Sequence, residues 1–171
     1  MALLAVNADG SYETKCAICD RPLSDPIFAT TAFISDPTDR LWPYSDAGMH
    51  WECYAKWKYQ KRFAALYFDS VQQWISTNPY WGIVAQTDAF ILSANPNLNE
   101  PTADIDLRAI GPGFRVPILE WTDWINGGWD ARCVHDLQRT AMLDIEARVR
   151  KIVSNSETLL RLSHRALEGK S

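Results

Sequence analysis

Cys16-Ala17-Ile18-Cys19 and, after an interval of thirty residues, His50-Trp51-Glu52-Cys53 are the two stretches that decide how the first part of this chain folds. A Cys-x-x-Cys turn sets two sulfurs on one side of a tight knuckle. Residues at i and i+3 leave one face of a helix, so His50 and Cys53 point the same way if they open one. The positive end of such a helix favours thiolate there. Three sulfurs and one imidazole are the donors a tetrahedral zinc ion takes up. Four protein ligands leave no open position, so the zinc expected on Cys16, Cys19, His50 and Cys53 is structural rather than catalytic. Two competing readings use the same residues. One makes the cysteines small buried hydrophobes beside a satisfied histidine. The other is a redox pair, against which Asp20-Arg21-Pro22 stands where a long helix would follow.

Around these stretches the patterning predicts an α+β fold. The alternating run from Ile27 to Ile34 reads as a short strand or hairpin, Asp36-Pro37-Thr38-Asp39 as a turn, and Leu41–Tyr44 as a second short strand at an edge because of Pro43. Ser45-Asp46 reads as an N-cap pair for a helix from about Ala47 to Tyr67. Asp69-Ser70 reads as the cap of a short helix, Val71 to Ser76. The middle is rich in β-hairpins. Strands are expected at Gly82–Thr87, Ala89–Ala94, Asp104–Ile110 and Phe114–Leu119, with Gly111-Pro112-Gly113 as the turn between the last two. Glu120 to Ile125 reads as a short helix broken by Asn126-Gly127-Gly128. C-terminal helices follow. Val134, Leu137, Ala141, Ile145, Val149 and Ile152 form one apolar stripe, and Ser154 with Glu157 has capping-box spacing for a last helix. The expected division is a zinc-stabilised unit over residues 1–78 and a β-rich segment with helices over residues 79–171, packed as one domain.

Composition narrows the function classes. A net charge of -4 argues against broad nucleic-acid or acidic-membrane binding and suits a basic protein partner. No run approaches the roughly 18 apolar residues of a membrane span. The opening apolar run lacks a basic flank and stops at Asn7, too short for a signal peptide, so the cytoplasm is the expected compartment. There thiols stay reduced, and four cysteines read as ligands or core rather than disulfides. Nothing in the sequence specifies an oligomeric state.

Other candidate sites are weaker. Cys133 beside His135 could be a nucleophile, although sequence neighbours point apart on a helix. Asp104 and Asp106, two apart on a strand, share a face and could act as acid and base, or be a solvated pair. Lys56, Lys58, Lys61 and Arg62 read as a solvated helix face or a phosphate-contacting one, and His164 as solvated. Trp121, Trp124 and Trp129 lie among Glu120, Asp123 and Asp130. They read either as a protein-binding patch or as core laid over a sheet. No phosphate-cradling glycine loop or nucleophile-elbow motif stands in the chain.

The order knuckle, β-hairpin and ligand-bearing helix over residues 14 to about 58 resembles the treble-clef zinc finger. Three further features resemble small bacterial immunity proteins encoded beside polymorphic or contact-dependent toxins. They are the knuckle with Asp20-Arg21-Pro22-Leu23, the run Tyr44-Ser-Asp-Ala-Gly-Met-His-Trp-Glu-Cys-Tyr54, and Phe114-Arg-Val-Pro-Ile-Leu-Glu-Trp-Thr-Asp-Trp-Ile125. The resemblance implies a protein without chemistry of its own that binds one toxin domain and blocks its active site. The alternatives are a zinc-finger nucleic-acid-binding regulator with Lys56 to Arg62 as its contact helix, and an enzyme using Cys133 or Asp104 with Asp106.

Overall fold

Phe28 and Met49, both buried, stand opposite each other at the centre of a short antiparallel pair, β1 (Ile27–Ala29) and β2 (Gly48–His50). The computed structural model describes residues 4–170, so part of the apolar opening run lies outside the described residues. The chain is α+β and divides into two compact units, Met1–Leu66 and Tyr67–Ser171. The first contains the β1–β2 pair and helix α1 (Trp51–Lys56), and α2 (Gln60–Thr77) begins in it.

Several local expectations are corrected in this unit. The strand expected to run from Ile27 to Ile34 ends at Ala29. Its neighbour is β2, across a long loop, and not Leu41–Tyr44. That segment is instead a 3-10 turn, Trp42–Tyr44, with Pro43 in its first two positions, where a fixed φ and a missing N–H cost nothing. The helix expected from Ala47 starts only at Trp51, because Gly48–His50 is committed to the sheet. Ser45 is buried, and its carbonyl accepts a hydrogen bond from Thr30 Oγ1 at 3.3 Å. His50, in an extended conformation, takes the N-cap position instead. The chain leaves helical geometry at Trp57 and resumes it at Gln60, and this break lets Tyr54 and Trp57 both meet the Phe63 ring.

No separate helix starts at Val71, since α2 is continuous to Thr77. The side chains expected to cap it are engaged elsewhere. Ser70 Oγ donates to the Tyr67 carbonyl at 2.7 Å, and Asp69 pairs with Arg108 at 3.0 Å.

In the second unit four antiparallel strands lie in sequence order: β3 (Gly82–Gln86), β4 (Phe90–Asn95), β5 (Thr102–Leu107) and β6 (Gly111–Pro117). Every residue of β4 is buried, which requires cover on both faces. Leu92, Ala103, Ile105 and Val116 belong to the large core with the C-terminal helices, while Ile91 packs with Phe68, Ile75 and Trp81. The turn between β5 and β6 is Arg108-Ala109-Ile110, and Gly111-Pro112-Gly113 belongs to β6. Gly113 is needed for close approach. A Cβ there would stand 1.8 Å from the Ile105 carbonyl oxygen.

Trp121, Trp124 and Trp129 are core and not a surface patch; all three are buried. They lie on helix α3 (Trp121–Asp123) and the wide turn after it, which breaks at Gly127 with φ of 121°. The single C-terminal stripe is two helices, α4 (Asp136–Leu143) and α5 (Glu146–Ile152). Ala141, Ile145 and Val149 are buried as expected, but Val134 and Ile152 are exposed. Helix α6 (Ser156–Glu168) is capped by Asn155, whose side chain accepts from the Thr158 N–H at 2.8 Å, and not by Ser154. Among the described residues no helix is long and apolar enough to cross a membrane.

Candidate metal centre

The knuckle is built by backbone bonds. The Cys16 N–H donates to the Arg21 carbonyl at 2.8 Å and the Asp20 N–H to the Cys16 carbonyl at 2.9 Å. Asp20 closes the turn at φ 58°, the left-handed region that Asp tolerates better than most side chains. A further bond, Ala17 N–H to the Gly48 carbonyl at 3.0 Å, ties the knuckle to β2. The strand therefore delivers His50 directly beside the two knuckle cysteines, and the first turn of α1 delivers Cys53.

All four expected ligand atoms lie within 4.8 Å of one another. Cys19 Sγ is 3.5 Å and Cys53 Sγ 3.7 Å from His50 Nδ1. A zinc tetrahedron with bonds of about 2.3 Å to sulfur and about 2.0 Å to nitrogen has sulfur–nitrogen edges of about 3.5 Å, so the donors stand at the separations such an ion imposes. The second contact of the imidazole settles its tautomer. Nε2 is 3.0 Å from the Pro22 carbonyl oxygen, which can only accept, so Nε2 carries the proton and Nδ1 turns its lone pair to the sulfurs. The His50 backbone N–H also donates to Cys16 Sγ at 3.4 Å.

Electrostatics favour a cation at this point. Arg21 hydrogen-bonds Cys19 and draws its thiol down to about 6. Burial, with the neighbouring sulfurs' charge, pushes Cys53 up to about 11. Sulfurs this close resist ionising together, and a divalent ion removes the conflict by stabilising every thiolate. Cys16 is buried and the other three ligands are half-buried, so the cluster sits at the rim of an aromatic core. In that core Phe28 stacks on Tyr54 with ring centres 3.7 Å apart, and Trp51 meets Phe28 edge-on at 5.0 Å.

The structure brings together all four residues expected from spacing. Among the described residues they form the group of His, Cys, Asp or Glu side chains that converges on a common point. Sequence reasoning missed the supporting groups, Arg21 and the Pro22 carbonyl. Both lie in the Asp20-Arg21-Pro22 segment whose meaning depends on how the knuckle closes.

The other candidates are differently employed. The Cys133 thiol donates to the Trp129 carbonyl at 3.5 Å, and burial raises its pKa, the reverse of activation. His135 Nδ1 accepts from the Leu137 N–H at 3.0 Å as the cap of α4. Asp104 holds Arg115 through two bonds of 2.8 and 2.7 Å. Asp106 is buried, and that burial, reinforced by the Asp104 charge, raises its carboxyl to about 7. In the basic run, Arg62 pairs with Asp39 at 2.8 Å and Lys56 with Glu52 at 2.9 Å.

No family model matches this chain, and neither a curated protein nor a solved structure matches it. The resemblance to toxin-immunity proteins therefore rests on the residues quoted for it.

Proposed function

We propose that this chain is a non-catalytic partner-binding module whose first unit is ordered by one structural zinc ion, and that it serves as an immunity protein for a bacterial toxin. The closed set Cys16, Cys19, His50 and Cys53, three sulfurs and one imidazole around a common point, supports the structural-zinc part of this reading, and the immunity role rests on the sequence resemblance alone. When bound, the ion cross-links the knuckle to β2 and α1 and offers no coordination position to a substrate. The residues do the rest. Pro22 orients His50, Arg21 offsets the thiolate charge, and Phe28 with Tyr54 fixes α1 behind the ligands.

The test is to read the neighbouring genes and to co-express this chain with any toxin domain that one of them encodes. The expected outcome is protection of the host cell and a one-to-one complex of the purified proteins. Absence of both protection and a complex at micromolar concentration would overturn the immunity reading. Metal analysis of the same preparation separately decides the zinc assignment.

A further inference from the structure

A cleft of about 560 Å³ opens beside Cys53 in the first unit. Arg21, Lys56 and Lys58 bring three cations to it, Glu52 one carboxylate, and Ile18 and Trp57 an apolar wall. The surplus of positive charge runs against the chain's net charge of -4, so it is a local reversal and not a consequence of overall composition. The Lys56–Glu52 pair is exposed on both sides, and such pairs contribute little, so a ligand carboxylate can displace Glu52 from the ammonium at small cost. The cleft is open to solvent rather than enclosing, which suits surface docking of a short segment, and an indole beside cations is a common anchor in protein contacts.

We propose that this cleft binds an acidic peptide segment of the partner, with carboxylates on Lys56 and Lys58 and an apolar side chain against Trp57, while Arg21 stays on the Cys19 and Cys53 sulfurs. The inference rests on the reading of the chain as a partner-binding module and names the surface used. The arrangement favours a peptide over a nucleic-acid strand. A phosphate backbone needs a sustained run of cations, but Arg62 is held by Asp39 at 2.8 Å. Bases need open aromatic faces. Arg40 already covers the Tyr59 ring, 4.7 Å from its centre, and Lys58 lies 4.8 Å from the same centre in an exposed contact that a ligand carboxylate can replace. What remains is Lys56 and Lys58 beside one indole, matched to a short acidic segment.

The experiment titrates the metal-loaded full chain with a fluorescein-labelled hexaglutamate peptide and, separately, a labelled oligothymidylate of equal charge. Polarisation is read at about 50 mM and about 300 mM salt, between which the screening length falls by roughly a factor of 2.4. The expected result is saturable peptide binding that weakens with salt, weakens at least fivefold in Lys56→Gln/Lys58→Gln, and is unchanged in Lys151→Gln, on the exposed surface of the other unit. The oligothymidylate should bind more weakly than the peptide. Peptide binding that is absent, insensitive to the double substitution, or outmatched by the oligothymidylate overturns the proposal. Zinc content and circular dichroism of each variant separate loss of the cleft from loss of the fold. Toxin protection in the presence of a failed peptide titration would retain the module reading and reject only this surface.

Discussion

His50 Nε2 stands 3.0 Å from the Pro22 carbonyl oxygen, so a main-chain acceptor three residues past Cys19 chooses which imidazole nitrogen faces the sulfurs. This contact fixes ring orientation before any metal arrives, which lowers the reorganisation that binding requires. Nitrogen-15 NMR of the zinc-loaded protein is expected to show a protonated Nε2 and a metal-shifted Nδ1. The opposite tautomer would show that Pro22 plays no part in orienting the ligand.

The zinc assignment predicts one mole of metal per chain by mass spectrometry. Cys53→Ser should lose it and unfold the first unit at room temperature. Apparent zinc-binding energies in small metal-folded units run to about 10–16 kcal/mol at neutral pH, more than the stability of a small unit without its ion. A Cys133→Ser control should keep both metal and fold, because Cys133 is not among the converging ligands. Equal zinc content in the two variants would sink the assignment.

Asp106 sets a pH dependence whose sign follows from its burial. Its carboxyl is raised from 3.8 to about 7 in the folded chain, so between those values the native state holds a proton that the unfolded state has released. Stability therefore falls as pH rises from about 4 to 7 and levels off above. Asp106→Asn should remove that fall and stabilise the protein at pH 8 by a few kcal/mol, at roughly 1.4 kcal/mol for each pH unit by which the carboxyl is raised. Urea unfolding at pH 5 and pH 8 checks it. A variant that is less stable at pH 8 would show that the ionised carboxylate is needed.

Two glycines of β6 should respond unequally to alanine. At Gly113 the new methyl would meet the Ile105 carbonyl at 1.8 Å, where Ile105 is held opposite Phe114 and Gly113 lies at the register shift between the two strands. The expected cost exceeds about 3 kcal/mol. At Gly111, with φ 85° and the Tyr67 ring 3.4 Å away, the cost is backbone strain of roughly 1–2 kcal/mol. Chemical denaturation of both variants gives the order, and a reversed order would contradict the register of β5 on β6.

The ligand set was legible because spacing along the chain constrains which donors can share one ion, whatever lies between them. The same holds for the apolar face of β5, Ala103, Ile105 and Leu107, which alternation reports directly, but the solvated pair expected at Asp104 and Asp106 is corrected at Asp106, which is buried as well. What depends on distant partners was not legible. Ser45-Asp46 has cap chemistry, yet Gly48–His50 is held in a sheet by Ile27–Ala29, and that pairing overrides the local preference. Gly111-Pro112-Gly113 has turn composition, but Gly113 is there for the Ile105 carbonyl. The tryptophans near residue 125 carry acidic neighbours in sequence, and only the packed helix shows that the rings turn inward while Glu120, Asp123 and Asp130 stay outside.

Helix α1 is six residues long, and within it Trp51 follows one ligand while Tyr54 follows another. Trp51 lies edge-on to Phe28 of β1, and Phe28 stacks on Tyr54, so two rings of the triad share their short helix with Cys53. Any loosening at the ligands must disturb an indole in direct succession to His50. The first unit thus contains a built-in optical gauge of its own occupancy, and chelation should register as a shift in tryptophan emission without any added dye.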